Sequence, residues 1–200
     1  MKTFLVALRA AAVTLFLTGL LYPLVMTGLG QLLFASAAKG SVVRDASGRP
    51  IGSALIGQSF SKPWYFQGRP SAAGNGYDPL ASGGSNLGPS SAKLRERVMG
   101  DATRLVHENP QAPGPVPVEL VTASASGLDP HISPHAASWQ LPRVARARGI
   151  APERIKQVVD DYSEGRDLGF LGEPRVNVLL LNLALDRQFG LPAPASKEIP

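Results

Sequence analysis

The chain has 200 residues, 44% of them hydrophobic and only 18% charged, and its 20 Lys+Arg against 15 Asp+Glu give a net charge of +5. Cysteine is absent, which excludes disulfide frameworks, thiol nucleophiles and cysteine-ligated zinc or iron–sulfur sites. With aromatics at 6% and no basic stripe interleaved with them, nucleic acid is excluded as a partner class.

The charge deficit has one address. Lys2 and Arg9 are followed by Ala10–Ala38, in which no residue carries a charge. Such a run exceeds the roughly 20 residues that span a bilayer as a helix, and also the 7–15 apolar residues of a signal-peptide core. Ala35-Ser36-Ala37 does match a cleavage pattern, so the alternative is a leader removed after Ala37 and a secreted binding module. Length favours the anchor: residues 1–9 as a short cytoplasmic tail, 10–38 as the transmembrane helix with its flank, and 39–200 as an extracytoplasmic domain. Lys39, Arg44 and Arg49 beyond the run weaken the charge bias that sets this orientation. Ala10, Thr14 and Thr18 recur every four residues and make one face small enough for a close helix neighbour. Thr18-Gly19-Leu20 returns as Thr27-Gly28-Leu29 on the opposite side, and Pro23 between them removes a helical hydrogen bond.

Ser41–Phe60 reads as a hairpin around Asp45-Ala46-Ser47-Gly48. Trp64-Tyr65-Phe66 is an aromatic plug for a core or a membrane interface. Gly68–Ser91, dense in Gly, Pro and Ser, reads as an ordered loop anchored by Tyr77, Leu80 and Leu87. Ser90 or Ser91 caps a helix to about Asn109, with Leu94, Val98, Leu105 and Val106 on one side. Val116–Thr122 alternates as a strand does. Pro134–Arg148 is a helix closed by Gly149, and Pro152–Ser163 another, with Ile155, Val158 and Val159 inward. Val176–Phe189 is the last helix, burying Val178, Leu179, Leu181, Leu183 and Leu185 before Gly190. The class is α+β: a single N-terminal transmembrane helix, then one mostly helical extracytoplasmic domain with a small β-sheet.

No chemical constellation stands out. Ser82-Gly83-Gly84-Ser85-Asn86 lacks the Lys-Ser/Thr that completes a phosphate loop. His131 and His135 are separated by Pro134, which breaks the helical geometry of a metal pair. Ser124, Ser126, Asp129 and His131 are sequence neighbours, whereas triads assemble in the fold, and no GxSxG elbow is present. Asp160-Asp161 reads as a solvated face. Arg143, Arg146 and Arg148 offer cations to acidic groups of a partner, to anionic headgroups, or to the helix dipole. The residues describe a membrane-tethered accessory domain.

Five blocks carry a resemblance: TGLLYPLVMTGLGQLLF (Thr18–Phe34), GSALIGQSFSKPWYFQGRPSAAG (Gly52–Gly74), YDPLASGGSNLGPSS (Tyr77–Ser91), VTASASGLDPHISPHAASWQLPRVARARG (Val121–Gly149) and LGEPRVNVLLLNLALD (Leu171–Asp186). In order and spacing they resemble the C subunit of the bacterial Kdp potassium-transporting P-type ATPase. The resemblance implies a non-catalytic subunit of a high-affinity potassium uptake pump in the cell inner membrane. Its partners would be a channel-like potassium-translocating subunit, a P-type ATPase subunit and a small membrane peptide. It also implies a catalytic chaperone that raises the ATP affinity of the ATPase subunit, with ATP held by that partner and potassium as the transported ion. Gln140, in Ser138-Trp139-Gln140, is the one weak nucleotide candidate, and only if the domain is cytoplasmic. Partner contacts fall to Thr18, Gly19, Pro23, Thr27, Gly28, Arg69, Asn86 and Arg143.

Overall fold

A computed structural model describes residues 1–45 and 47–192 and divides the chain into two compact units, Met1–Ile51 and Gly52 onward. In the first unit a helix runs over Lys2–Leu33, as α1 (Lys2–Leu15), a π-helical turn (Phe16–Leu21) and α2 (Tyr22–Leu33). Its most apolar 18 residues have a mean hydropathy of 2.1, the helix is long enough to cross a bilayer, and none of that apolar stretch is buried. Pro23 does not break it. A proline cannot donate to the carbonyl four residues back and crowds it, and the wider π turn just upstream accommodates that defect. A single turn, α3 (Ala35–Ala38), follows.

The expected hairpin forms between β1 (Val42–Arg44) and β2 (Pro50–Ser53), and the chain is irregular from Ala54 to Phe60. Asp45 organises the turn: its Oδ1 accepts from Ser47 N at 2.8 Å, Ser47 Oγ at 2.6 Å and Arg49 N at 3.0 Å. Ala46 lies outside the described residues.

In the second unit, α4 (Ala92–Glu108) starts where Ser91 Oγ accepts from Leu94 N, and α5 (Pro134–Arg148) where Ser133 Oγ accepts from Ala136 N. Gly149 closes α5 at φ +65°, a left-handed cap. Then come α6 (Pro152–Asp161) and, after the strands below, α7 (Val178–Phe189). Three short antiparallel strands make a sheet in the order β3 (His131–Ile132), β5 (Arg175–Asn177), β4 (Ser163–Glu164). Ile132 faces Val176 and Glu164 faces Arg175 in its register. Helix α6 packs on both α5 and α7, and α5 and α7 pack on β5, around Trp139, Val144, Ile155, Val159, Leu181 and Leu185.

Several expectations are corrected. Val116–Thr122 is not a strand but a 3-10 turn at Val118–Leu120. Pro117 opens it by accepting from Leu120 N at 3.0 Å, and Leu120 and Val121 are buried side by side, which an alternating strand forbids. The last helix begins two residues late, because Asn177 ends β5 and its Oδ1 caps Leu180 N at 3.1 Å. Val106 is exposed on α4, where only Leu105 is fully buried. Leu80 does not anchor the Gly68–Ser91 loop: it is 96% exposed.

What orders that loop is polar. Tyr77 OH donates to Arg69 O at 2.5 Å, Ser71 Oγ to Gly127 O at 2.6 Å and Ser82 Oγ to Ser126 O at 2.9 Å. Gly127, at φ +68°, lets the two loops close, since a Cβ there would lie 2.7 Å from Ala73 N.

One segment has no strand partner yet carries a buried residue, Phe66, into the core. From Pro63 to Gln67 all five consecutive carbonyls accept from side chains. Arg143 Nη1 reaches Pro63 O at 2.6 Å and its Nη2 reaches Tyr65 O at 3.0 Å. Arg148 Nε reaches Trp64 O at 2.8 Å. Asn182 Nδ2 reaches Phe66 O at 2.9 Å and Gln140 Nε2 reaches Gln67 O at 2.9 Å. The two amides also accept, Asn182 from Phe66 N and Gln140 from Gln67 N, both at 2.8 Å. Two side chains thereby reproduce the paired donor and acceptor of a β-ladder.

Replacing Asn182 by Leu should destabilise the full chain by about 2–4 kcal/mol, because two buried backbone groups of Phe66 lose their partners; urea unfolding in detergent followed by tryptophan fluorescence reads this. Arg148→Met should cost a similar amount, roughly 3 kcal/mol, since Asp186, Trp64 O and Gly190 O all lose a donor. A change under about 0.5 kcal/mol in either variant would contradict the role given to these side chains.

Candidate functional site

Two features are shaped for recognition. On the membrane helix, an added Cβ at Gly28 or Gly30 would meet nothing within 4 Å, and at Gly19 only Leu15 of the same helix. These are open notches. Thr18 turns its hydroxyl back onto Thr14 O at 2.7 Å, which satisfies it in an apolar medium and leaves the face small. Thr18, Gly19, Pro23, Thr27 and Gly28 therefore all lie on an exposed helix.

In the second unit a cleft of about 360 Å³ opens between α4 and the segment 59–70. Gln67, Arg69, Tyr77, Asp101, Arg104 and Glu108 supply its polar lining. Its charges are matched internally. Arg104 lies 3.2 Å from Asp101 and 3.1 Å from Glu108, and Arg69 lies 3.1 Å from Asp129. Burial pushes the Asp129 carboxyl up, but hydrogen bonds from His131 and the Arg69 guanidinium outweigh it and hold the group below the usual carboxylate range. A second recess of about 420 Å³ shares Gln67 and Glu108 with the first and extends to His107, Arg143 and Arg146.

The expected site residues are not gathered in one place. Gln140 is wholly buried, and its amide holds Gln67 and accepts from Arg143 Nη2 at 2.9 Å. It therefore acts inside the chain. Arg143 is only 3% exposed; burial pulls its guanidinium down to about 10, so it is still a cation at neutral pH, held by backbone oxygens and Gln140. Of the three cations considered together, Arg146 alone is exposed. Arg69 is half-buried and joins Asp129, while Asn86 is exposed at φ +49° in the Gly-rich loop.

His131 meets Asp129, its Nδ1 3.6 Å from Oδ1, and Ser124 Oγ meets Ser126 Oγ at 3.5 Å. These contacts build a loop, not a nucleophile and its base. Among the described residues no group of three or more His, Asp or Glu is placed to hold a metal ion.

Sequence reasoning missed the clamp on Pro63–Gln67. One signal for it was present: Asn182 stands among Leu181, Ala184 and Leu185 on the apolar face of its helix, and a polar side chain there must find a buried partner.

Comparison with known proteins adds what geometry cannot. A potassium-transporting ATPase KdpC subunit of Myxococcus xanthus is 66% identical over 189 residues, covering 94% of this chain and 90% of the relative. One from Koribacter versatilis is 50% identical over 194 residues, covering 96% and 98%. One from Caulobacter vibrioides is 53% identical over 173 residues, covering 86% and 87%. The family profile described as K+-transporting ATPase, c chain, matches residues 4–187. With a profile match over nearly the whole chain and relatives at 50–66% identity, the chain belongs to the KdpC family of K+-transporting ATPase c chains.

Proposed function

We propose that the chain is a membrane-anchored, non-catalytic subunit of an ATP-driven potassium uptake pump. It assembles and stabilises a complex with a potassium-translocating channel-like subunit, a P-type ATPase subunit and a small membrane peptide. The observation that carries this reading is the helix Lys2–Leu33, fully exposed along its apolar stretch and open at Gly19, Gly28 and Gly30. A helix with small notches in lipid gains by packing closely on another helix.

Lys2 and Arg9 ahead of the uncharged run support a cytoplasmic side for that end of the helix, with everything from Lys39 onward outside, beside the entrance of the potassium pathway. The chain then raises the ATP affinity of the ATPase subunit without touching nucleotide. Binding energy at the external face is transmitted through packed membrane helices as a coupling of about 1–3 kcal/mol. The burial of Gln140 and its occupied amide support action at a distance.

Deleting the chain from its host should abolish assembly of the pump or its potassium-stimulated ATPase activity; a pump purified with unchanged composition and activity would refute the subunit role. Orientation can be read cleanly because the sequence has no cysteine. In Leu80→Cys the single thiol sits on an exposed loop, and a membrane-impermeant maleimide should label it in intact cells. Labelling only after lysis would place the domain in the cytoplasm.

A further inference from the structure

The segment between β4 and β5 ends in an apolar tip. Leu168 is 83% exposed, Phe170 68% and Leu171 49%. None of the three belongs to the core cluster or to the partly buried residues packed on it. The tip is nonetheless held rigidly. Asp167 and Leu171 exchange backbone hydrogen bonds at 2.8 and 2.9 Å. Below them Arg166 pairs with Glu173 at 2.7 Å, and Arg175 with Glu164 at 2.9 Å and Asp167 at 3.2 Å. Leu168 adopts φ +53°, a conformation a branched side chain avoids, and it does so without reaching any core of its own. A strained, exposed, preorganised leucine beside an exposed phenylalanine is the anatomy of a binding anchor.

We infer that the tip Leu168–Leu171 docks into an apolar recess rimmed by lysine or arginine on another subunit of the pump. This rests on the subunit reading above. Charge selects the occupant. Residues 160–175 carry five carboxylates against two arginines, and both arginines are held by carboxylates of the same segment. From α6, Lys156 pairs with Asp160 at 2.5 Å. An acidic collar is repelled by anionic headgroups, and segments that dip into bilayers surround their apolar residues with free cations. A cationic rim around an apolar recess is its complement. Three side chains bury too little to bind alone, so the tip is an anchor inside a larger interface.

The test uses the intact pump complex with benzoylphenylalanine replacing Phe170 in the full chain, and in a second sample replacing Leu80, which is exposed on a different loop. Irradiation should join position 170 to one segment of another subunit in which apolar residues are flanked by Lys or Arg, and position 80 should not give that adduct. No adduct, an adduct with lipid, with a second copy of this chain or with an acidic segment, or the same adduct from position 80, would each overturn the inference. Separately, the double variant Leu168→Ser with Phe170→Ser, its circular dichroism unchanged, should be captured about tenfold more weakly by a pump lacking its own copy; unchanged capture would also overturn it. If the wild-type chain itself fails to restore such a pump, the subunit reading falls; if wild type and variant restore it equally, only the docking tip falls.

Discussion

The second unit depends on one unusual constraint: the irregular segment Pro63–Gln67, which carries buried Phe66 into the core, has no neighbouring strand to bond to. Backbone carbonyls cannot be buried without donors, since each one left unpaired costs about 1–3 kcal/mol. Here the donors are four side chains on two helices, Gln140, Arg143 and Arg148 on α5 and Asn182 on α7. The clamp places Phe66 at the centre of the core with no exposed surface, and fixes Gln67 at the cleft beside α4. Remove it and α5, α7 and the aromatic segment have no reason to keep their present register.

That constraint also decides what the cations do. Arg143 and Arg148 are buried at the end of α5, where guanidinium groups with several fixed donors suit several fixed oxygens. Arg148 adds Asp186 at 2.7 Å, and Tyr65 OH donates to the other oxygen of the same carboxylate at 2.7 Å. Burial and that carboxylate together raise the Tyr65 hydroxyl pKa, so the tyrosine stays a donor at physiological pH. Polar groups that look free for a ligand in the sequence are internal joinery. Apolar surface stays exposed on the membrane helix and on the loop tip beyond β4, beside the polar cleft along α4.

Helices were largely legible because their signals are local. Caps at Ser91 and Ser133, the Pro at the start of α6, the left-handed Gly149 and the apolar spacing of Ile155, Val158 and Val159 act over a few residues. Strands were not. The three-stranded sheet joins residues far apart in the chain, each strand is only two or three residues long, and no alternation survives in so few. Val116–Thr122 shows the reverse error, alternation with no partner strand to use it.

By itself the sequence determined that one long stretch carries no charge, that no thiol chemistry occurs, and roughly where the helices of the second unit lie; each follows from composition or from contacts between near neighbours. Only the tertiary structure decided that Gln140 and Arg143 face inward, that Leu80 is exposed and Phe66 is not, and that Asn182 holds a backbone 116 residues away. The physical reason is that a polar side chain's role is set by which unpaired group the fold brings against it, and that meeting is long-range.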